Sequence, residues 1–469
     1  MPPNIVLIVM DTARADAFEP WGAHLGASPT IADLARRGQS LGRVRSTANW
    51  TVPGHASMFS GELPRTLGLG IVENWSSAPA IAAARDKWLP EVLRRHGYAT
   101  SAVSANLWIS KHGGFDLGFD RFESVVSPRH QTMGNTGLRA RLGWAHEGAR
   151  ARADDGAGQA EAILAGWLDH DAHRPFFWFV NLTECHSPYL PPRPYNDLGL
   201  LRRIHAADQA RGNLTLEAIW KTSLGGRTMN AETLDRMRHL YQRSVLAMDD
   251  WVGRLLARLE THGLIDDTIV IVTSDHGENF GEGGLIGHCF SLDDRLLHVP
   301  FVSSHPGFAD PSMSSLSELP GTIARSADIT GHPWDRPVAP SGVAVAQMEA
   351  VSSRARVEEI VGAWGLDDEA IDLMTTSFTC ATEGTFKLVR RDDGLEHLYQ
   401  LDLDPLESSP IALNGRLPDA ATHTVTVLRS AIDAAAASVS RTVRHAADLG
   451  LDESEVERIE RKMRELGYL

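Results

Sequence analysis

Asn4-Ile5-Val6-Leu7-Ile8-Val9-Met10, followed at once by Asp11-Thr12-Ala13-Arg14-Ala15-Asp16, is the stretch on which the fold turns. The apolar run is rich in Ile and Val and offers no polar face. Ile5–Met10 therefore reads as a strand buried on both sides. Runs of the same kind recur at Thr100–Ala105, Phe176–Leu182 and Thr268–Ser274. Helical patterns lie between them. The clearest covers Ala231–Gly263, where Leu234, Met237, Tyr241, Val245, Met248, Val252, Leu255 and Leu259 recur at helical spacing and Gly263 ends the helix. Strands alternating with helices predict an α/β fold, a large and mostly parallel central sheet flanked by helices. In such sheets ligands bind at the carboxyl ends of the strands.

The pattern changes after Gly307. Phe308–Ser315 and Gly331–Ser341 read as loops, and short β signals follow at Ser377–Thr382, Thr385–Arg390 and Glu396–Leu401. Asp392-Asp393-Gly394 predicts a hairpin turn between the last two. The expected division is a catalytic domain over 1–345 and a small C-terminal α+β subdomain over 346–469. The latter ends in an amphipathic helix, Asp452–Leu469, docked on the body through Val456, Ile459, Met463 and Leu466.

A net charge of -15 argues against a nucleic-acid polymer or an anionic membrane as partner. An anionic small substrate would need a local source of positive charge, and a bound metal is the usual one in an acidic protein. Three scattered cysteines, Cys185, Cys289 and Cys380, make neither a disulfide framework nor a zinc ribbon. The short N-terminal apolar run lacks a basic leader, and no stretch reaches the length of a membrane span. The expected location is cytoplasmic. Nothing in the sequence speaks to oligomeric state.

Chemistry-bearing residues gather where the strands are expected to end. Asp11 follows the first strand, and either binds a cation or caps a helix. Thr51 opens the loop-to-helix segment Thr51-Val52-Pro53-Gly54-His55-Ala56-Ser57, where its hydroxyl is either a nucleophile beside the helix N-terminus or an N-cap. Asp275-His276 follow Thr268–Ser274 and supply mixed oxygen and nitrogen ligands. Glu184 and His186 follow Phe176–Leu182, and His288 follows a Gly-rich stretch.

Taken together and in order, these segments resemble the sulfatase family of the alkaline phosphatase superfamily. The match runs from Pro3-Asn4-Ile5 through Asp11-Thr12-x-Arg14-x-Asp16, Ser57-Met58-Phe59-Ser60-Gly61, Gly118-Phe119-Asp120, His186-Ser187-Pro188-Tyr189 and Ser274-Asp275-His276-Gly277-Glu278. It ends at Leu398-Tyr399-x-Leu401-x-Leu403-Asp404-Pro405-x-Glu407. The nucleophile loop departs from the formylglycine pattern of Cys or Ser followed by x-Pro-x-Arg, since Thr51 and His55 stand in those places. Threonine carries a methyl group on its β-carbon and cannot become formylglycine. Thr51-x-Pro53-x-His55, with Gly70–Asn74 downstream, is instead similar to the nucleotide pyrophosphatase/phosphodiesterase branch. Thr12 replaces the second Asp of the family's first strand, and Leu182 stands where two-metal members carry an Asp.

The resemblance implies one divalent metal, Zn or Mn, held by Asp11, Thr51, Asp275 and His276. Thr51 is the expected nucleophile, with His186 and His288 acting on the leaving oxygen and Asn74, His55 and Glu184 around the substrate. A second metal on Glu184, His186 and His288 stays open. The expected substrate is a small-molecule phosphate ester, a phosphodiester in first place. The alternatives are a sulfatase without formylglycine, a transferase using the same covalent threonine, or a binding protein without catalysis.

Overall fold

The computed structural model describes residues 2–438 apart from 70–76, 126, 128, 130–133, 136, 169–173 and 415–418. The strands of its first part are β1 (Asn4–Met10), β2 (Gln39–Ser40), β3 (Ala99–Ser104), β4 (Arg121–Ser124), β5 (Phe176–Leu182), β6 (Thr268–Thr273), β7 (Asn279–Phe280), β8 (Ile286–Gly287) and β9 (Phe301–Ser303). β7 and β8 pair with each other, and the rest form one sheet in the order β2-β9-β6-β1-β5-β3-β4. From β6 to β4 every pairing is parallel, whereas β9 and β2 add an antiparallel edge. The α/β architecture expected from the sequence is the one observed.

β1 sits at the centre, with Val9 beside Asn181 of β5 and Thr273 of β6. Its residues from Ile5 to Met10 are fully buried because both faces are covered. Val6, Ile8 and Met10 pack with Trp178, Val272 and the apolar stripe of the Ala231–Thr261 helix. Ile5, Leu7 and Val9 face Phe179, Ile271 and the Thr51–Ser60 helix. Burial of such a side chain stabilises by about 1.5–3 kcal/mol. The long helix starts where the Asn230 side chain accepts from the Thr233 N–H. It stops at Gly263, whose φ of +67° lets the Leu264 N–H turn back to the Leu259 carbonyl.

The second sheet comprises β10 (Val343–Met348), β11 (Phe378–Glu383), β12 (Phe386–Arg391) and β13 (Glu396–Gln400), antiparallel and in chain order. The expected 345/346 division falls inside β10, which pairs with β11 without a break from Val343 to Met348. The strand therefore belongs wholly to the second sheet. Helices Arg354–Val361 and Asp368–Thr375 are inserted between β10 and β11. The Asp419–Ala437 helix covers the sheet with Val425 and Leu428 against Val345, Leu388 and Leu398. The Asp452–Leu469 segment lies outside the described residues. Among the described residues no helix is long and apolar enough to cross a membrane.

Candidate active site and metal centre

Four neighbouring parallel strands deliver their following residues to one place. β6 leads into Asp275 and His276, β1 into Asp11, β5 into Thr183 and His186, and β3 into Asn106. Asp11, Asp275 and His276 each offer one ligand atom within 4.8 Å of the others, and all three are completely buried. Each carboxylate has one oxygen tied and one left over. Asp11 Oδ2 accepts from Asn106 Nδ2 at 2.6 Å. Asp275 Oδ1 accepts from the backbone N–H groups of Thr12 at 3.2 Å and His276 at 2.9 Å. Asp11 Oδ1 and Asp275 Oδ2 have no hydrogen-bond partner.

Buried carboxylate oxygens without partners are costly. A cation between them removes that cost, so these residues fit a divalent metal. Burial, and then the charge of Asp275, push the Asp11 carboxyl above its ordinary value, outweighing the nearby imidazoles of His186, His276 and His55. His276 donates from Nδ1 to the Gly277 carbonyl at 2.9 Å, which leaves the Nε2 lone pair turned to the carboxylates. Burial, and then His288, push its pKa down to about 3, so the ring stays neutral and ready to ligate. Glycine is required at 277, where a Cβ would lie 2.0 Å from the Arg295 carbonyl oxygen.

Thr51 is the first residue of the Thr51–Ser60 helix, entered from an extended Trp50. Its Oγ1 lies 3.3 Å from His276 Nε2. Gly54, one turn on, has its α-carbon so near Asp275 that a Cβ would meet the Asp275 carbonyl at 3.0 Å. This close approach brings the helix start onto the carboxylate pair. On the other side, the His288 ring centroid is 4.5 Å from that of His276 and 5.3 Å from that of His186. Glu278 Oε1 is 3.0 Å from His288 Nδ1, and Glu278 Oε2 accepts from the Tyr189 hydroxyl at 2.6 Å. Burial opposes a charged His288, but the Glu278 carboxylate outweighs it and moves the imidazole pKa up.

Asp11, Thr51, Asp275, His276, His186 and His288 thus come together as expected. His55 does not. Its ring is completely buried beneath the site, edge-on to Phe115 and Phe179, with Nδ1 2.9 Å from the Thr51 carbonyl and 3.3 Å from Asp275 Oδ2. One helical turn after Thr51 its side chain points inward, so it supports Thr51 and Asp275 instead of touching substrate. Glu184 also turns away: its Oε1 accepts from the Ala157 N–H at 2.7 Å at the start of the Ala157–Leu168 helix. Among the described residues no second group of three metal ligands converges. Asn74 lies outside the described residues.

Sequence reasoning missed Asn106, which orients Asp11, and the role of Glu278 and Tyr189 behind His288. It also missed most of the wall of the cavity that opens from Thr51, where Trp50, Trp108, Phe290 and Met348 stand. The Tyr195–Met229 segment contributes Leu216 and Trp220. None of the described residues of Ser124–Ala157 lines the cavity. Arg203 is buried and donates to backbone carbonyls of Gly148, Leu198 and Ala149, away from the cavity lining.

A hydroxyl set against two buried carboxylates and an imidazole, at the carboxyl edge of a parallel sheet, defines an ester hydrolase of the α/β class. Within that class, the sulfatase family model matches residues 3–325, and the chain belongs to the sulfatase family. Choline-sulfatase of Rhizobium meliloti (strain 1021) is 26% identical, over 90% of this chain and 85% of that one. Arylsulfatase K of Bos taurus is 22% identical, over 92% and 82%. Among solved structures, phosphonate monoester hydrolase of Agrobacterium radiobacter superposes with a TM-score of 0.63, 18% identity, and coverage of 94% of this chain and 97% of that one.

Proposed function

We propose that the protein hydrolyses a small monoanionic ester of a phosphorus or sulfur oxyacid, a phosphodiester in first place, through a covalent intermediate on Thr51. The observation that carries this is the position of Thr51 Oγ1, 3.3 Å from His276 Nε2 at the start of a helix and beside two carboxylates with spare oxygens. A divalent ion on Asp11, Asp275 and His276, Zn or Mn by the donor set, would supply the positive charge that eases loss of the Thr51 proton and offsets the ester's negative oxygens.

The residues of the chain do the rest. Thr51 Oγ1, its proton given up to solvent, forms a bond to phosphorus as the bond to the leaving oxygen breaks, and it departs again as the same oxygen anion when the intermediate is cleaved. His288, held by Glu278 in the form that carries a proton, gives that proton to the leaving oxygen. Water then cleaves the phospho-threonine, with the now neutral His288 taking its proton. His186 stands beside His288 and helps to hold the leaving group.

Charge favours a substrate with one negative charge at the reacting centre. Among the described residues lining the cavity there is no Lys or Arg to balance a second one. A phosphodiester and a sulfate monoester both meet that condition. The Thr51-x-Pro53-x-His55 loop favours the first, and membership of the sulfatase family favours the second as an alternative.

The test is turnover of bis-p-nitrophenyl phosphate, p-nitrophenyl phosphate and p-nitrophenyl sulfate by metal-loaded protein, beside Thr51→Ala. Faster Thr51-dependent turnover of the diester than of either other ester supports the first reading. Turnover of the sulfate alone replaces it with the second. Activity that survives Thr51→Ala removes the covalent mechanism.

A further inference from the structure

The cavity leading away from Thr51 has a marked chemical character. Trp50 and Trp108 meet edge to face with ring centroids 6.4 Å apart, and Trp220 and Phe290 do the same at 5.3 Å. All four rings line the cavity, together with Val351 and Leu373. They come from separate places in the chain: the nucleophile loop, the segment after β3, the Leu216–Ser223 helix, the residues after His288, and the inserts between β10 and β11.

We propose that this wall is a recognition pocket for an uncharged, flat apolar alcohol, the organic part of the ester, with Trp220 and Phe290 as specificity-determining residues. The inference deepens the ester-hydrolase reading and rests on it for the identity of the bound group as part of a substrate.

Two observations carry it. The first is charge. Among the described lining residues Glu349 is the one carboxylate, and it is already engaged. Arg65 donates to its Oε1, and the Ser377 hydroxyl donates to its Oε2 at 3.3 Å. The wall therefore offers no free cation to an anionic organic group and no free carboxylate to a cationic one, which leaves the ring faces as its recognition surface. The polar lining residues Asn49, Asn106 and Thr183 belong to the nucleophile loop and the strand ends, so a polyhydroxylated sugar reaching the four rings would set its hydroxyls against aromatic faces. Flat apolar groups gain both burial and ring contacts there.

The second is the backbone at Phe290. Its φ is +65°, a left-handed conformation that a bulky side chain adopts only at a steric cost. The residue is nevertheless buried, two positions after His288, with its ring packed on Trp220. Strain of this kind persists where surrounding structure holds a side chain in place, and it gathers at binding sites. The restraint here is visible. Leu224, Val357, Val361 and Met374 form one apolar cluster with Phe290 and Trp220. The residues packed behind the wall thus hold the two rings before any ligand arrives, which lowers the entropy cost of binding.

Calorimetric titration tests the inference without requiring turnover. The probes are 2-naphthol, its carboxylated analogue 6-hydroxy-2-naphthoate, and choline. Wild type and Thr51→Ala are both expected to bind 2-naphthol, with the carboxylated analogue at least about tenfold weaker and choline weaker still. Trp220→Ala and Phe290→Ala should each weaken 2-naphthol by about tenfold, as loss of an aromatic partner and its burial predicts. Trp220→Phe should recover most of that loss, and an unchanged thermal transition separates a lost contact from a lost fold. Choline or the carboxylate binding as well as 2-naphthol overturns the proposal, and so does the absence of 2-naphthol binding. If 2-naphthol binds but no ester of it is cleaved, the pocket stands and the hydrolase reading fails.

Discussion

Thr51 Oγ1 lies 3.3 Å from His276 Nε2, and the two reach each other from opposite ends of secondary structure, one opening a helix and one following a strand. The proposed mechanism gives Thr51 a role that alanine cannot fill and serine can. Thr51→Ala should lower kcat by on the order of 10⁴-fold, the scale of losing a covalent nucleophile. Thr51→Ser should stay within about tenfold, because the hydroxyl is retained. Steady-state kinetics on both variants, with intact-mass analysis of the quenched wild type for a phosphoryl adduct, checks this. Equal activity of the alanine and serine variants would remove Thr51 from the chemistry.

The carboxylate pair makes metal removal a stability experiment as well. Without a cation, Asp11 and Asp275 face each other in a buried site, and Asp11 is held above its ordinary pKa by burial and by Asp275. Metal at a hundredfold excess over its Kd should therefore add about 2.7 kcal/mol. A chelator should lower the melting temperature reversibly. Asn106→Ala removes the donor that fixes Asp11 Oδ2. It should weaken metal binding by about 10–100-fold, the usual scale for a residue that orients a ligand. Metal titration followed by calorimetry reads both effects, and an Asn106→Ala variant with native affinity would show that Asp11 needs no such support.

Much of this site was legible because chemistry-bearing residues sat directly after apolar runs. Asp11 and Asp275 needed only the inference that Ile5–Met10 and the Thr268 run are adjacent parallel strands, and Val9 does stand beside Thr273. The illegible parts depend on orientation or on distance along the chain. His55 lies four residues from Thr51, and nothing local says that the helix turns its ring into Phe115 and Phe179. Asn106 is an ordinary loop residue until the pairing of β3 with β5 brings it to the site. The Asp419–Ala437 helix went unread for another reason. Its buried stripe includes Ala421, Ala431 and Ala435, whose small side chains give a faint apolar period beside Val425 and Leu428.

His288 should matter most where the leaving group is poor. Its Nδ1 is 3.0 Å from Glu278, which raises the imidazole pKa and so favours the protonated ring that the proposed mechanism uses. His288→Asn should slow an alkyl ester by about 10²–10⁴-fold, the range for general acid catalysis. An ester of p-nitrophenol needs no proton to leave and should lose far less. A Brønsted plot over a series of substituted phenyl esters would become steeper in the variant. Parallel plots for variant and wild type would take His288 out of the proton transfer.

Glu184 makes a prediction about pH. Burial, and then the charge of Asp155, raise its pKa from 4.5 to about 8 in the folded protein. The folded state therefore binds more protons than the unfolded chain between those values. The stabilising contribution of the bound proton is complete below the unfolded pKa and is lost as pH rises through the folded one. Stability should thus fall between about pH 4.5 and 8 by an amount that Glu184→Gln abolishes. The variant should melt higher than wild type at alkaline pH and much the same at pH near 4.5. It should keep its metal and activity, because Glu184 faces Ala157 and not the cavity. A loss of bound metal in Glu184→Gln would instead assign this carboxylate to a second metal site.

A buried ion pair within the C-terminal part, Lys387 with Glu407, is hydrogen-bonded to Leu292 and Asp294 of the catalytic body, and its removal should be felt in stability before activity. Lys387 of β12 is completely buried, with Nζ 2.7 Å from Glu407 Oε2 and a further hydrogen bond to the Leu292 carbonyl. Glu407 Oε1 in turn accepts from the Asp294 N–H, and Asp294 pairs with Arg45 at 2.6 Å. Lys387→Met leaves Glu407 charged, buried and unpaired beside Asp293 and Asp294, which should cost about 3–5 kcal/mol. Replacing both partners, Lys387→Met with Glu407→Leu, removes the stranded charge, so much of that loss should return. Urea unfolding of the single and double variants forms the test. The pair is ordinary surface electrostatics if the single variant costs under about 1 kcal/mol. If the double variant is no more stable than the single one, the carbonyl of Leu292 and the N–H of Asp294, both left without their partners, account for the loss.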